Sequence, residues 1–218
     1  MVKKAQQIGP RNNYGMHAMK PLQSRLDLIL ERIENPKFLN NDGLGNEIGF
    51  WIFDYPAKQE LMVRDYIKHL TDKLDKRGYK FTTINIYEIL VEMLASRGLL
   101  ERTFIREKQT GVDAIRATLA GPLSQKKIAE FIAEKIKPET LDFVLFSGLG
   151  NAWPLVRGHE LLSALQDVMG KTPLVLFYPG EYSGRDLHPF GMIDSKNYYR
   201  AFKLVPEDGK KTKGVNAQ

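Results

Sequence analysis

The sequence predicts an α/β fold built around a mostly parallel sheet. Short apolar runs of the length of a buried strand alternate along the chain with stretches whose apolar residues recur at helical spacing. The clearest unit lies in residues 141–182, where apolar runs at 143–146 and 173–178 flank a helix-like stretch at 154–169. Strand, helix, strand is the crossover that joins neighbouring parallel strands.

The other elements follow in chain order. A helix is expected from about Leu22 until Asn35-Pro36, because the residue before proline avoids the helical region. Residues 99–123 predict broken helices, and Ser124 is a candidate cap for the next one. The remaining predicted elements are strands at 48–53 and 79–86, helices at 59–76 and 124–136, a polar loop at 183–197 and an edge strand at 199–205. A further helix is expected directly after the second strand, where it carries Ile89, Leu90, Met93 and Leu94 and closes near Gly98.

These elements predict a single three-layer domain over residues 21–206, with about five strands flanked by helices on both faces. Its architecture would be Rossmann-like, or like that of P-loop proteins without the phosphate-binding motif. Residues 1–20 and 207–218 predict a flexible basic arm and a flexible tail. Much of the net charge of +6 lies in these ends, so any contact with DNA is expected to be non-specific.

Composition excludes several classes of function. The chain has no cysteine, which removes disulfides, thiol catalysis and thiolate metal sites. No apolar run approaches the roughly 20 residues that span a bilayer, and the first 20 residues lack the apolar core of a secretory signal. We therefore expect a cytoplasmic protein with no membrane contact.

The glycine-rich loop after the strand at 143–146 does not carry a nucleotide motif. A phosphate loop needs Gly-Lys-Ser/Thr, which is absent after Gly148-Leu149-Gly150, and Trp153 stands where the third glycine of a dinucleotide fingerprint belongs. These glycines are better explained by tight turns. We expect neither nucleotide binding at this loop nor ATP hydrolysis.

No other catalytic motif is complete. Ser147 and Ser183 lack the glycine spacing of a nucleophile elbow. Asp186 and the Asp194-Ser195-Lys196 triple only loosely suggest a metal-dependent nuclease, and no two histidines have close ligand spacing. We therefore assign no catalytic residue, no metal ligand and no cofactor.

Polar side chains nevertheless concentrate where the predicted strands end. The carboxyl ends of parallel strands share one edge of a sheet, where open α/β sheets bind ligands. Such side chains form either an ion-pair network that locks the loops or a binding surface, and the sequence favours neither. The candidate interaction rim consists of Asp54, Tyr55, Asn151, Arg157, His159, Glu181, Tyr182 and Arg200.

Four ordered segments resemble the BrxB family of BREX bacteriophage-defence systems. They are GLGNEIGFWIFDY (43–55), FSGLGNAWPLVRGHELLSALQ (146–166), PLVLFYPGEYSG (173–184) and NYYRAFKLV (197–205), and the resemblance covers about residues 22–205. It implies an accessory component, without an established catalytic activity, of a multi-protein system that methylates host DNA and blocks phage replication. It also implies association with PglZ, the alkaline-phosphatase-like member of these systems, and carries over no catalytic residues.

Three functional hypotheses remain open. The first is a non-catalytic scaffold of a BREX complex that binds a PglZ-type protein, with other BREX components as further partners. The second is an unusual enzyme, a degenerate nucleotide- or nucleic-acid-processing α/β domain that uses the rim. The third is a non-specific DNA-binding module that relies on the basic ends.

Overall fold

A parallel sheet with one antiparallel extension runs through the centre of the protein. The computed structural model describes residues 22–41, 49–193 and 199–207. The predicted arm, and the predicted tail beyond residue 207, lie outside these ranges. Among the described residues the parallel strands stand in the order β2-β3-β4-β1-β6, and β5 pairs antiparallel with the end of β4. The strands are β1 Phe50–Tyr55, β2 Phe81–Asn85, β3 Phe143–Ser147, β4 Leu174–Tyr182, β5 Leu187–Pro189 and β6 Phe202–Lys203.

Helices cover both faces of this sheet, which confirms the predicted α/β class. One face packs against α5, α7, α8, α9 and α10, and the other packs against the first four helices. The helices are α1 at 22–27, α2 Ile29–Ile33, α3 Pro36–Leu39, α4 Glu60–Lys76, α5 Ile86–Ser96, α6 Leu100–Thr110, α7 Val112–Leu119, α8 Gln125–Ile136, α9 Leu149–Ala152 and α10 Gly158–Met169, with 3-10 turns at Ala57–Gln59 and Pro138–Thr140.

The two-sided burial explains why the central strands read as continuous apolar runs. Side chains of a strand alternate between faces, and both faces here are covered, so every position needs an apolar side chain. In β4, Leu174 and Leu176 belong to one core cluster, whereas Val175 and Phe177 belong to the other. The strand is buried from Leu174 to Pro179 for this reason.

Several predicted boundaries were wrong. The strand predicted to stop at Asp54 continues to Tyr55, and β4 continues through Pro179-Gly180 to Tyr182, where we expected a loop. The helix predicted from Pro154 begins at Gly158, after the separate short helix α9.

The helix end predicted at Asn35-Pro36 is confirmed, and one capping prediction needs correction. Pro36 does not only end the first helical segment. It also occupies the first turn of α3, where the Asn35 side chain accepts a hydrogen bond from the Lys37 amide. Ser124 stands at the N-cap of α8, but its side chain makes no capping hydrogen bond. The predicted edge strand is confirmed as β6, which is parallel to β1 and only two residues long.

An aromatic cluster fixes one face of the sheet against α3. Phe143 of β3 is fully buried, and its ring lies 5.3–5.7 Å from the ring centres of Phe38, Tyr79 and Phe81. Aromatic pairs at this separation add to the free energy of burial. The cluster therefore holds an edge strand, a central strand and a helix together.

We expect Phe143→Ala to lower the free energy of unfolding by about 3–5 kcal/mol, because it opens a cavity among these rings. Urea unfolding measures the change. The matched control is Phe104→Ala on α6, where the ring is 47% exposed and the expected change is within about 0.5 kcal/mol. Equal losses in the two variants would contradict the assigned packing.

Candidate functional site at the carboxyl edge of the sheet

A buried carboxylate stands at the end of β1. Asp54 is 3% exposed, and its two oxygens accept hydrogen bonds from Arg25 Nη2 at 2.8 Å, Lys203 Nζ at 2.7 Å and the Tyr182 amide at 3.0 Å. Arg25 also donates to the carbonyl oxygens of Asp54 and Val205, and its guanidinium lies over the Phe53 ring. Asp54, at the end of β1, is therefore bonded to α1, to the end of β4 and to residues 199–207, which we call the C-terminal segment.

Tyr182 extends this network to the same C-terminal segment. It is fully buried, and its hydroxyl lies 3.1 Å from the Tyr199 carbonyl oxygen and 2.9 Å from that of Ala201, whose amide donates to it. Gly180 permits the close approach of β5, because a Cβ at this position would collide with the His188 carbonyl oxygen. The extended end of β4 is thus fixed on both sides.

A second chain of hydrogen bonds crosses the same edge. The Tyr55 hydroxyl donates to Glu60 at 2.6 Å, Arg64 donates to the other oxygen of Glu60 at 2.8 Å, and Arg64 also donates to Asn151 at 2.9 Å. Burial, and then the adjacent Glu60 carboxylate, raise the pKa of Tyr55. The hydroxyl therefore stays protonated and acts as a donor. This chain ties the end of β1 to α4 and α9.

The glycines after β3 are packed against other side chains. Gly148 adopts φ of +75° beneath Asn85, whose side chain accepts a hydrogen bond from the Tyr87 amide at the start of α5. A Cβ at Gly150 would lie 2.9 Å from Pro179, and one at Gly158 would lie 3.2 Å from Leu149. Gly148 forms a left-handed turn, as the sequence predicted, whereas Gly150 and Gly158 allow close packing between elements, which the sequence did not predict.

The remaining members of the rim differ in exposure. Arg157, Glu181 and Arg200 are exposed, and His159 is partly buried at the start of α10. Burial lowers the pKa of His159 below its usual value; the nearby Glu160 opposes this change and Arg157 adds to it. The structure thus separates two groups. Asp54, Tyr55 and Tyr182 are buried and bonded internally, and Asn151 is exposed but bonded to Arg64, whereas Arg157, Glu181 and Arg200 face solvent. Arg200 precedes β6, whose Phe202 pairs with Trp51 near the start of β1, so it lies away from the carboxyl edge.

Aromatic and aliphatic side chains complete the solvent-facing part of this edge. Trp153 is 41% exposed and packs edge-on against Phe190, with ring centres 5.7 Å apart. Phe190 has φ of +58°, which is uncommon for a residue with a side chain, and nearby Met192 is 82% exposed. A cavity of about 240 Å³ opens beside Phe190 and is lined by Asp54, Tyr55, Glu181 and Glu207 among others.

Sequence reasoning missed the partners of the internally bonded members of the rim. Arg25, Glu60, Arg64 and Lys203 were not assigned to the edge, although they hold Asp54, Tyr55 and Asn151. Arg25 had one available signal, since it lies inside a helix whose apolar positions surround it. For Lys203 the sequence carries no such signal, because its partner is 149 positions earlier in the chain.

The described ranges contain no group of three or more His, Cys, Asp or Glu side chains that could hold a metal ion. Among the same residues, no helix has the length and apolar character needed to cross a bilayer. A larger cavity, of about 650 Å³, lies at the opposite end of the strands beside Tyr79, Asp142 and Lys171.

Comparison with known proteins identifies the class of this α/β protein. The family described as "BREX protein BrxB" matches residues 82–204. A BREX protein BrxB of Escherichia coli O9:H4 (strain HS) is 56% identical over 188 residues, which cover 86% of this chain and 94% of that protein. A BREX protein BrxB of Bacillus cereus (strain H3081.97) is 36% identical over 192 residues, covering 86% of this chain and 99% of that protein. No solved structure matches the chain.

The chain is therefore a component of a BREX phage-defence system. It belongs to the BrxB family, which confirms the resemblance found in the sequence. The role of the rim as a binding surface stays a prediction.

We expect Asp54→Asn to lower the free energy of unfolding by about 3–5 kcal/mol, because it leaves Arg25 and Lys203 buried without their counter-charge. Chemical unfolding measures the loss. Asp75→Asn, an exposed carboxylate on α4, is the control with the same chemical change and should be nearly neutral. If both variants unfold at the same urea concentration, Asp54 does not carry the stability assigned to it.

Gly148→Ala should destabilise the protein more than Gly98→Ala. Both glycines have positive φ, so both substitutions carry the same backbone cost of about 1–2 kcal/mol. Only the Cβ at residue 148 would displace the Asn85 side chain that caps α5, which adds at least about 1 kcal/mol. Thermal unfolding followed by circular dichroism compares them, and equal melting temperatures would refute the packing role of Gly148.

Proposed function

We propose that this protein is a non-catalytic adaptor of its BREX complex and that it binds a PglZ-type protein through the carboxyl edge of the sheet. The observation that carries this proposal is the separation of side chains at that edge. Polar groups that an enzyme of this architecture would present to a substrate are bonded to one another, as the Asp54 carboxylate shows with its three donors. What the edge presents to solvent is a mixture of aromatic, aliphatic and charged side chains.

The composition of that surface supports a protein partner. Tryptophan, arginine, methionine and phenylalanine are enriched in protein interfaces, and the residues with the largest binding energies are often aromatic. Trp153, Phe190 and Met192 lie at the edge with Arg157 and Glu181 among the exposed charges. Phe190 holds Trp153 edge-on, so the indole loses little side-chain entropy when a partner covers it.

The rigid frame beneath the surface supports the same proposal. The Asp54 network fixes the end of β4, with which β5 pairs just before Phe190, and the Tyr55–Glu60–Arg64–Asn151 chain fixes α9, which directly precedes Trp153. A surface that is ordered before binding needs less conformational entropy to form a complex.

The test is co-purification with the cognate PglZ-type protein from cells that express the complete defence operon, followed by size-exclusion chromatography of the two purified proteins. We expect one stable complex in the wild type. Trp153→Ser and the pair Arg157→Ala with Glu181→Ala should each weaken the affinity by at least about ten-fold, or about 1.4 kcal/mol.

Two control variants match these changes away from the edge. Val112→Ser removes an apolar side chain that is 70% exposed on α7, and Lys76→Ala removes an exposed charge at the end of α4. Both should leave the complex intact. Separate elution of the two wild-type proteins at micromolar concentration and low salt would overturn the adaptor proposal. A complex weakened equally by Val112→Ser would reject the assigned surface.

A further inference from the structure

A third cleft lies between the turn that joins α7 to α8 and the segment that leads into α10. Its volume is about 420 Å³, within the range of about 300–1,000 Å³ that small-molecule sites occupy. We call it the arginine cleft, because Arg116 from α7 and Arg157 before α10 both line it. It is separate from the cavity beside Phe190, with which it shares no lining residue.

The charge of the arginine cleft is predominantly positive. The side chains of Arg116 and Arg157 make no hydrogen bond or ion pair with another residue in the described ranges. Glu160 is the one acidic side chain on its lining, and a His159 nitrogen lies 3.7 Å from that carboxylate. An arginine fork matches the oxygens of a phosphate group in geometry as well as in charge.

The start of α8 adds to this positive character. Ser124 and Gln125 line the cleft at the amino end of this 12-residue helix, and the Ser124 side chain caps none of its free N–H groups. The first turn has no acidic residue and carries Lys126, which pairs with Glu130, and Lys127, which donates to the Gly121 carbonyl oxygen; neither lysine lines the cleft. Lysines there oppose the helix dipole, so the arrangement disfavours the isolated helix but strengthens the attraction of an anion.

The floor of the cleft is apolar and includes an amide that is not fully bonded. Leu119 and Leu123 are 5% and 2% exposed, and Leu155 packs partly buried beside them. Gln125 donates to the Leu155 carbonyl oxygen at 3.5 Å, the limit of a hydrogen bond, while its buried Oε1 has no partner among the described residues. A polar group that entered the cleft could turn this loosely held amide toward itself and satisfy it.

We propose that the arginine cleft binds a nucleotide, with its phosphates at Arg116 and Arg157 and its nucleoside over the leucine floor. A bare anion would use the arginines alone and make no contact with the apolar floor. A nucleotide uses both parts, and its amino or hydroxyl groups supply the donor that Gln125 lacks. This site is distinct from the glycine loop after β3, and it goes beyond the adaptor function.

The test is isothermal titration of the full-length protein with ADP, with inorganic pyrophosphate and with a 5′-phosphorylated single-stranded oligonucleotide in parallel arms. ADP should bind more tightly than pyrophosphate. Arg116→Gln should weaken ADP binding by at least about ten-fold, and Arg116→Lys, which keeps the charge but loses the fork, should fall between. Arg116 lies outside the rim, so none of these changes should alter binding to the PglZ-type protein.

Arg102→Gln on α6 is the matched control, since it removes an exposed arginine that does not line the cleft. Melting temperatures without ligand establish that each variant is folded. Three outcomes would overturn the proposal: no ADP binding below millimolar concentration, equal affinities for ADP and pyrophosphate, or equal losses in Arg116→Gln and Arg102→Gln. Binding of the oligonucleotide alone would also overturn it, because a free nucleotide would then not be the ligand.

Discussion

The buried carboxylate of Asp54 is the interaction on which the carboxyl edge of the sheet depends. A charge with 3% exposure is costly to bury unless donors replace the lost water, and three donors do so here. They come from α1, β6 and the end of β4, which are 29, 149 and 128 positions away in the chain. One side chain thus determines where three distant segments meet.

This interaction explains why a strand as short as β6 holds its place. Two residues supply few ladder hydrogen bonds, so pairing with β1 alone would leave β6 weakly attached. Lys203 is bound to Asp54, Arg25 donates to the Val205 carbonyl oxygen, and the Tyr182 hydroxyl bonds Ala201. The C-terminal segment is therefore fixed by side chains that lie earlier in the chain.

Sequence patterns predicted the parallel strands and most of the helices, and for β1, β3 and β4 the reason is that two-sided burial leaves an apolar run that is visible without partners. They missed β5, which lies in the stretch predicted as a polar loop. They were not sufficient at the end of β4. Pro179-Gly180 is a typical turn signal, yet Pro179 falls where β1 ends and Gly180 is needed for contact with β5. The strand continues because tertiary contacts outweigh the local preference. Likewise, the polar residues of the rim were visible in sequence, but the separation into bonded and exposed members depends on Arg25, Arg64 and Lys203, whose proximity only the fold creates.

The start of α10 is where the two surfaces of the protein meet. Arg157 precedes this helix, belongs to the rim and also lines the arginine cleft. Its substitution alone therefore cannot assign an effect to either surface, whereas Trp153 reports on the carboxyl edge and Arg116 on the cleft. Since Gly158 packs directly against Leu149 and Leu187, the beginning of α10 is held tightly to α9 and β5.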